Sequence, residues 1–242
     1  MNCLVLRSLV FLFCVSTASG LAATRLESGD TQVSLLELYT SEGCSSCPPA
    51  EAWIGQHYPR VAEWHSVVPV AFHVDYWDQL GWKDRFAKPE FTARQQLYSA
   101  NWNRGSVYTP CFVLNGEEWE GWFRGGSLPG SLRRSVGNLE VTIKDDTVDV
   151  RFTPAVTPKE YLVFVAPLAM ERSSDVRAGE NRGRHLDHDF VVQSLVSAKL
   201  EHRDSAFGTT LQVPMSGARA VAVWVTLDRS LAPIQAIGGS LE

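Results

Sequence analysis

Two cysteines three residues apart, Cys44 and Cys47, stand between an apolar run and a segment that reads as a helix. This spacing puts two thiols one helical turn apart, within reach of a reversible disulfide. A thiolate at a helix N-terminus faces unpaired N–H groups and the positive end of the helix dipole, which lowers the thiol pKa. Cys44 is therefore expected to attack and Cys47 to resolve a mixed disulfide. The plainer alternatives are an inert disulfide or half a zinc site. A structural zinc site takes four ligands. There is one Cys-x-x-Cys pair, and His57, His65 and His73 are not paired at finger spacing, so no metal is assigned.

Other chemistry-bearing residues give weaker signals. His73 falls in a strand and reads as a hydrogen-bonded core residue. His185 and His188, beside Asp187 and Asp189, lack an identifiable third strong ligand, and the segment reads as a polar surface loop. Asp75, Asp78 and Asp84 flank Tyr76, Trp77 and Trp82. That segment is either a substrate-binding lip or an aromatic patch closing the core, and the core reading is preferred because aromatic burial dominates core energetics. Gly179-Glu180-Asn181-Arg182-Gly183-Arg184 reads as a turn whose charges could dock the two halves of the chain.

The elements that must position these groups follow from apolar patterning. Residues Val33–Tyr39 form a mostly apolar strand, as in a sheet covered on both faces. A turn through Cys44 opens a helix at Pro48-Pro49 that runs to about His57, proline being tolerated in a first helical turn. A second strand is expected at Val67–Asp75, a helix from Glu90 to about Asn101 and a strand at Cys111–Leu114. Asn115-Gly116 is a hairpin turn, with a return strand from Glu118 to Trp122. A short helix is expected over Leu132–Val136. From Gly137 the pattern changes to period two. Leu139, Val141 and Ile143 alternate with polar residues, as do Val148, Val150 and Phe152. Further strands are expected at Tyr161–Ala166, Thr209–Val213, Ala220–Leu227 and Ile234–Ile237.

The strand, Cys44-Ser45-Ser46-Cys47, the helix and the later Val107-Tyr108-Thr109-Pro110-Cys111-Phe112-Val113-Leu114-Asn115-Gly116 together resemble the thioredoxin superfamily. A closer resemblance is to a secreted bacterial family of unknown function with a thioredoxin-like domain and a β-rich tail. It is carried by Leu38–Pro49, Phe72–Asp78, Tyr108-Thr109-Pro110 and Gly179–Arg184. The resemblance implies a cis Thr109–Pro110 bond packed beside Cys44 and Cys47. The Thr109 backbone would then pair with an extended substrate segment. Cys111 would lie near the pair, as a third redox thiol, a ligand of a Cu(I)-type thiolate site or an inert packed thiol, the last being preferred. Glu37 matches a buried proton-carrying carboxylate, a general base toward Cys47, if one residue is inserted before Cys44. The alternative is a solvated, edge-facing side chain. Gly43 replaces the usual tryptophan and Ser45-Ser46 the usual Gly-Pro.

The fold expected is α/β: a thioredoxin-like domain over residues 24–136, then a smaller all-β, sandwich-like domain over 137–242. Residues 1–23 read as a secretory signal, with Arg7, an apolar stretch from Leu9 to Val15 and small residues after it. The chain has 242 residues, 45% hydrophobic and 20% charged, with net charge −5, an ordinary globular composition. No dense basic run marks a nucleic-acid footprint. No apolar run approaches the roughly 20 residues that span a bilayer, so no integral membrane segment is expected after cleavage. Beyond residue 23, Cys44, Cys47 and Cys111 remain. The reading is a periplasmic or secreted thiol–disulfide oxidoreductase with no organic cofactor, acting on protein thiols or disulfides. The rival is a non-catalytic binding module with a structural disulfide or a thiolate metal site.

Overall fold

The computed structural model describes residues 23–58, 64–129, 134–156 and 160–241. The signal segment lies outside them except for its last residue. Of the helix expected at Leu132–Val136, the first two residues lie outside. Ser135 forms an isolated antiparallel bridge to Thr31 instead.

In chain order the elements are β1 (Thr24–Glu27), β2 (Ser34–Thr40), α1 (Pro48–His57), β3 (Val67–His73), α2 (Pro89–Asn101), β4 (Cys111–Leu114) and β5 (Glu117–Glu118). Then come β6 (Gly137–Lys144), β7 (Thr147–Pro154), β8 (Tyr161–Ala169), β9 (Arg172–Asp175), β10 (His185–His188) and β11 (Val191–Val192). The last are β12 (Val196–Arg203), β13 (Ala206–Gln212), β14 (Ala220–Leu227) and β15 (Pro233–Ser240).

Local chemistry explains most of these. Proline occupies the first turn of both α1 and α2, where a missing N–H has no intrahelical partner to lose. Asn115 and Gly116 both have positive φ, 51° and 91°, as a two-residue turn between β4 and β5 requires. A Cβ on Gly116 would also come within 2.8 Å of Ala232 Cα, so only glycine fits. The expected return strand ends early. After Glu118 the chain curls into a 3-10 turn at Gly121–Arg124, with Trp119 and Trp122 packed on Phe112 at ring separations of 5.7 and 5.6 Å.

The expected architecture, a thioredoxin-like α/β domain and a separate all-β domain, is not what the chain forms. Among the described residues thirteen strands join one mixed sheet, and β9 and β10 make a separate two-stranded ribbon. Two α-helices are present among the described residues. The halves join because β8 is shared. One of its edges pairs with β12 and β11, its other with β14, and β11 runs parallel to β3. Strand alternation then serves two cores. On β8 and β14, Ala166, Leu168, Ala220, Ala222 and Trp224 face the core around β2, β3 and the helices. Their neighbours Val163, Val165, Val221, Val223 and Val225 face a second core under β6, β7 and β13. Because β8 and β14 give one face to each core, the two halves of the chain share these strands and do not form separate sheets.

Candidate functional site

β2 delivers the chain to a tight turn. Cys44 N–H donates to Ser41 O (3.1 Å) and Cys47 N–H to Cys44 O (3.3 Å). Cys47 is the residue before α1, and its carbonyl accepts the Ala50 and Glu51 N–H groups at 2.9 and 3.1 Å. Cys44 and Cys47 form a disulfide, with Cα atoms 5.5 Å apart. Gly43 is held by close approach, since a Cβ there would meet Trp77 Cβ at 2.8 Å. Ser45 and Ser46 are exposed, yet both cysteines are 0% exposed. The N–H groups expected to receive a thiolate are also fewer than the sequence pattern suggested. Pro48 and Pro49 have none, and Ala50 N–H is already bonded.

The cover over this turn comes from far along the chain. Glu180 Oε2 accepts from Ser45 N–H (3.1 Å) and Ser45 Oγ (2.7 Å). Those two bonds hold the Glu180 carboxyl below the usual carboxylate range. Asn181, fully buried, donates from Nδ2 to both Glu42 O and Cys44 O at 2.9 Å. Its Oδ1 accepts from Arg184 Nη1 at 2.8 Å. The Gly179–Arg184 turn is thus a latch on the Cys-x-x-Cys turn.

The Thr109–Pro110 bond is cis. Trp77 connects this segment to the cysteine turn: its Cβ abuts Gly43 and its Nε1 donates to Thr109 Oγ1 at 2.8 Å. Cys111 sits on β4 opposite Tyr39 and is a buried free thiol. Burial, helped by the nearby Glu118 charge, pushes its pKa up to about 12.

Glu37 is buried, as one of its two readings required. Its carboxylate is filled by other partners: Arg94 in a two-point ion pair (2.8 and 3.0 Å), Tyr39 Oη (2.9 Å) and Tyr98 Oη (2.5 Å). No hydrogen bond among the described residues joins it to either cysteine.

A different set of ionisable groups lies against the turn. Glu42, two residues before Cys44, is fully buried and accepts from Trp82 Nε1 at 2.6 Å. Its amide donates to Asp84 Oδ2 (2.8 Å), which also binds His73 Nδ1 at 2.7 Å. Glu51, on the first turn of α1, binds His188 Nδ1 (2.5 Å) and Thr40 Oγ1 (2.5 Å). The aromatic segment after β3 therefore closes over the cysteine turn through Trp77, Trp82 and Asp84.

Burial alone would lower both imidazoles, but Asp84 raises His73, and Glu42 with Glu51 drives His188 up to about 10. Burial alone would raise Glu42 and Asp84, yet His188 and His73 respectively bring them below their usual range. The segment His185–His188 is not the polar surface loop its sequence suggested. That segment is strand β10, and residues three apart on a strand face opposite ways. His185 is exposed with Asp175 at 2.7 Å; His188 is 2% exposed. Leu186 alternating with the polar residues was the available signal. Asn181 falls in the Gly179–Arg184 turn expected to dock the two halves, whereas no local pattern gave Glu42 or Glu51 a role.

A family model described as "Protein of unknown function (DUF1223)" matches residues 35–226. The chain belongs to this family. A protein of Agrobacterium tumefaciens, AGR_C_4864, known from its crystal structure, is 25% identical with TM-score 0.62. The match covers 87% of this chain and 96% of that one. HBP35 of Porphyromonas gingivalis shares the fold at 15% identity and TM-score 0.58, covering 87% of this chain and 76% of that one. No curated protein matches the chain. Membership of the DUF1223 family and the mostly β architecture replace the expected place in the thioredoxin superfamily. No helix among the described residues is long and apolar enough to cross a membrane.

Proposed function

We propose that this DUF1223 protein exchanges disulfides with protein thiols through Cys44–Cys47, outside the cytoplasm, where such bonds persist. The observation that carries the reading is the disulfide itself, closed across a four-residue turn at the start of α1, with exposed Ser45 and Ser46 between the sulfurs. In the oxidising direction a substrate thiolate attacks Cys44 Sγ. The Cys44–Cys47 bond breaks and Cys47 leaves as thiolate. A second substrate thiolate then attacks the substrate sulfur of the mixed disulfide and releases Cys44. Two electrons pass from substrate to protein, and the two substrate thiol protons end on the cysteines or in solvent. Thr109 and Pro110, tied to the turn through Trp77, would flank the incoming segment. Cys111, buried with a raised pKa, is assigned no redox step.

One observation favours a second reading. Both cysteines are fully buried, with the latch bonded to the Cys44 carbonyl, and a buried disulfide is kinetically protected. In that view the bond is a fixed staple in a binding module. Alkylation of the purified chain across redox buffers, read by mass, separates the two. A reversible Cys44–Cys47 couple between roughly −120 and −270 mV supports exchange. A pair that stays oxidised at more reducing potentials supports the staple.

A further inference from the structure

The buried cluster against the cysteine turn gathers five ionisable side chains, Glu42, Glu51, His73, Asp84 and His188. Glu42, Glu51 and Asp84 put three carboxylates among two imidazoles, with no Lys or Arg ion pair to any of them among the described residues. Burying that much negative charge demands a positive partner.

The donor geometry points the same way. One potential ligand atom from each of Glu51, His73 and His188 lies within 4.8 Å of the other two. Ligands of a tetrahedral zinc ion, at bonds near 2.0–2.2 Å, stand roughly 3.4 Å apart, so small side-chain rotations close the set. His73 is 0% exposed, its Nδ1 is committed to Asp84, and its Nε2 has no partner. A free imidazole nitrogen buried without a partner is costly unless something occupies that space. Each histidine is also backed by a carboxylate: Asp84 on His73, and Glu42 Oε1 3.2 Å from His188 Nε2 without hydrogen-bonding geometry. Carboxylates on the far side of a ligating imidazole are the usual means of orienting it.

We propose that His73 Nε2, a ring nitrogen of His188 and a carboxylate oxygen of Glu51 bind one divalent transition cation of the zinc class. Asp84 and Glu42 orient the two imidazoles. The cation would join β3, α1 and β10 at one point. The Cys44–Cys47 turn lies between Glu42 and Glu51, so the site would brace that turn from within. This inference uses no thiol and stands apart from the exchange chemistry.

The test is equilibrium dialysis of the oxidised, metal-stripped full chain against Zn²⁺, with bound metal counted by mass spectrometry. One zinc per chain is expected. His73→Gln and His188→Gln should abolish it, and Asp84→Asn should weaken it by about 10–100-fold. His57→Gln and His202→Gln, both at exposed positions, should leave it intact. Cys44→Ser/Cys47→Ser should also retain it, which separates this site from a thiolate site. Because His73 and His188 are buried, Co²⁺ absorption on the unaltered chain provides a fold-independent check. Tetrahedral nitrogen–oxygen d–d bands without thiolate charge transfer support the site. Absence of saturable binding, a thiolate charge-transfer band, or binding that survives both histidine substitutions would overturn it.

Discussion

Replacing Asn181 with alanine tests whether the latch controls access to the disulfide. Asn181 Nδ2 makes two buried hydrogen bonds to the cysteine turn, to Glu42 O and Cys44 O. Cys44 O keeps a second donor, the Cys47 N–H, whereas among the described residues no other donor bonds to Glu42 O. Two net hydrogen bonds at about 1 kcal/mol each, plus part of the desolvation cost of one abandoned carbonyl, come to roughly 2–3 kcal/mol. If the latch opens locally and quickly, the reduction rate of the disulfide follows its opening equilibrium. At 1.4 kcal/mol per tenfold, that predicts reduction roughly 30- to 140-fold faster. The assay is first-order reduction by excess dithiothreitol, quenched with iodoacetamide and read by mass. A parallel urea series separates local from global opening. Local opening gives a rate almost flat in sub-denaturing urea, because little surface is exposed. A folded Asn181→Ala protein reduced no faster than the parent chain would refute the latch. A rate that climbs steeply with urea would show that access needs global unfolding.

Three further outcomes follow from particular contacts. Pro49→Ala restores an N–H at the second helical position, where the side chain of the preceding cap residue can accept it. At a pH where Cys47 is ionised, its thiolate gains about 1 kcal/mol, which makes the couple more oxidising by about 20 mV in a glutathione equilibrium; an unchanged or more reducing value there counts against the cap argument. Arg94→Met strands the buried Glu37 carboxylate and should cost about 3–5 kcal/mol in a urea melt, and a loss under 1 kcal/mol would contradict the buried ion pair. Cys111, with its thiol pushed up to about 12, should resist iodoacetamide in the folded chain at pH 8 and react promptly once unfolded. Equal rates in both states would place it at the surface.

The local features were legible in the sequence because their causes are local. Pro48-Pro49 after a turn starts α1, and Pro89 starts α2. Asn115-Gly116 makes a turn whose φ angles few other pairs adopt, and alternation over Leu139–Phe152 lays out β6 and β7. Cys-x-x-Cys spacing is enough for the disulfide to close. The strands missed in reading were short or polar. β9 and β10 carry Ser, Asp and His on their exposed positions, and β12 is largely exposed.

What tertiary structure alone decided is which faces these elements turn to one another. β8 and β14 are apolar almost throughout, and which face meets which core is set only by packing, because valines and alanines suit either core. That sharing merges the expected two domains into one sheet. The same long-range packing brings Glu180 and Asn181 onto a turn some 135 residues earlier. It also carries His188 to Glu51, a separation of 137 residues. Glu37 illustrates the limit from the other side. Its burial could be anticipated from an apolar strand, but its partner Arg94 lies 57 residues away on α2. A side chain's neighbours in sequence set its backbone, whereas its ionisation and reactivity are set by groups that only folding brings within a few ångströms.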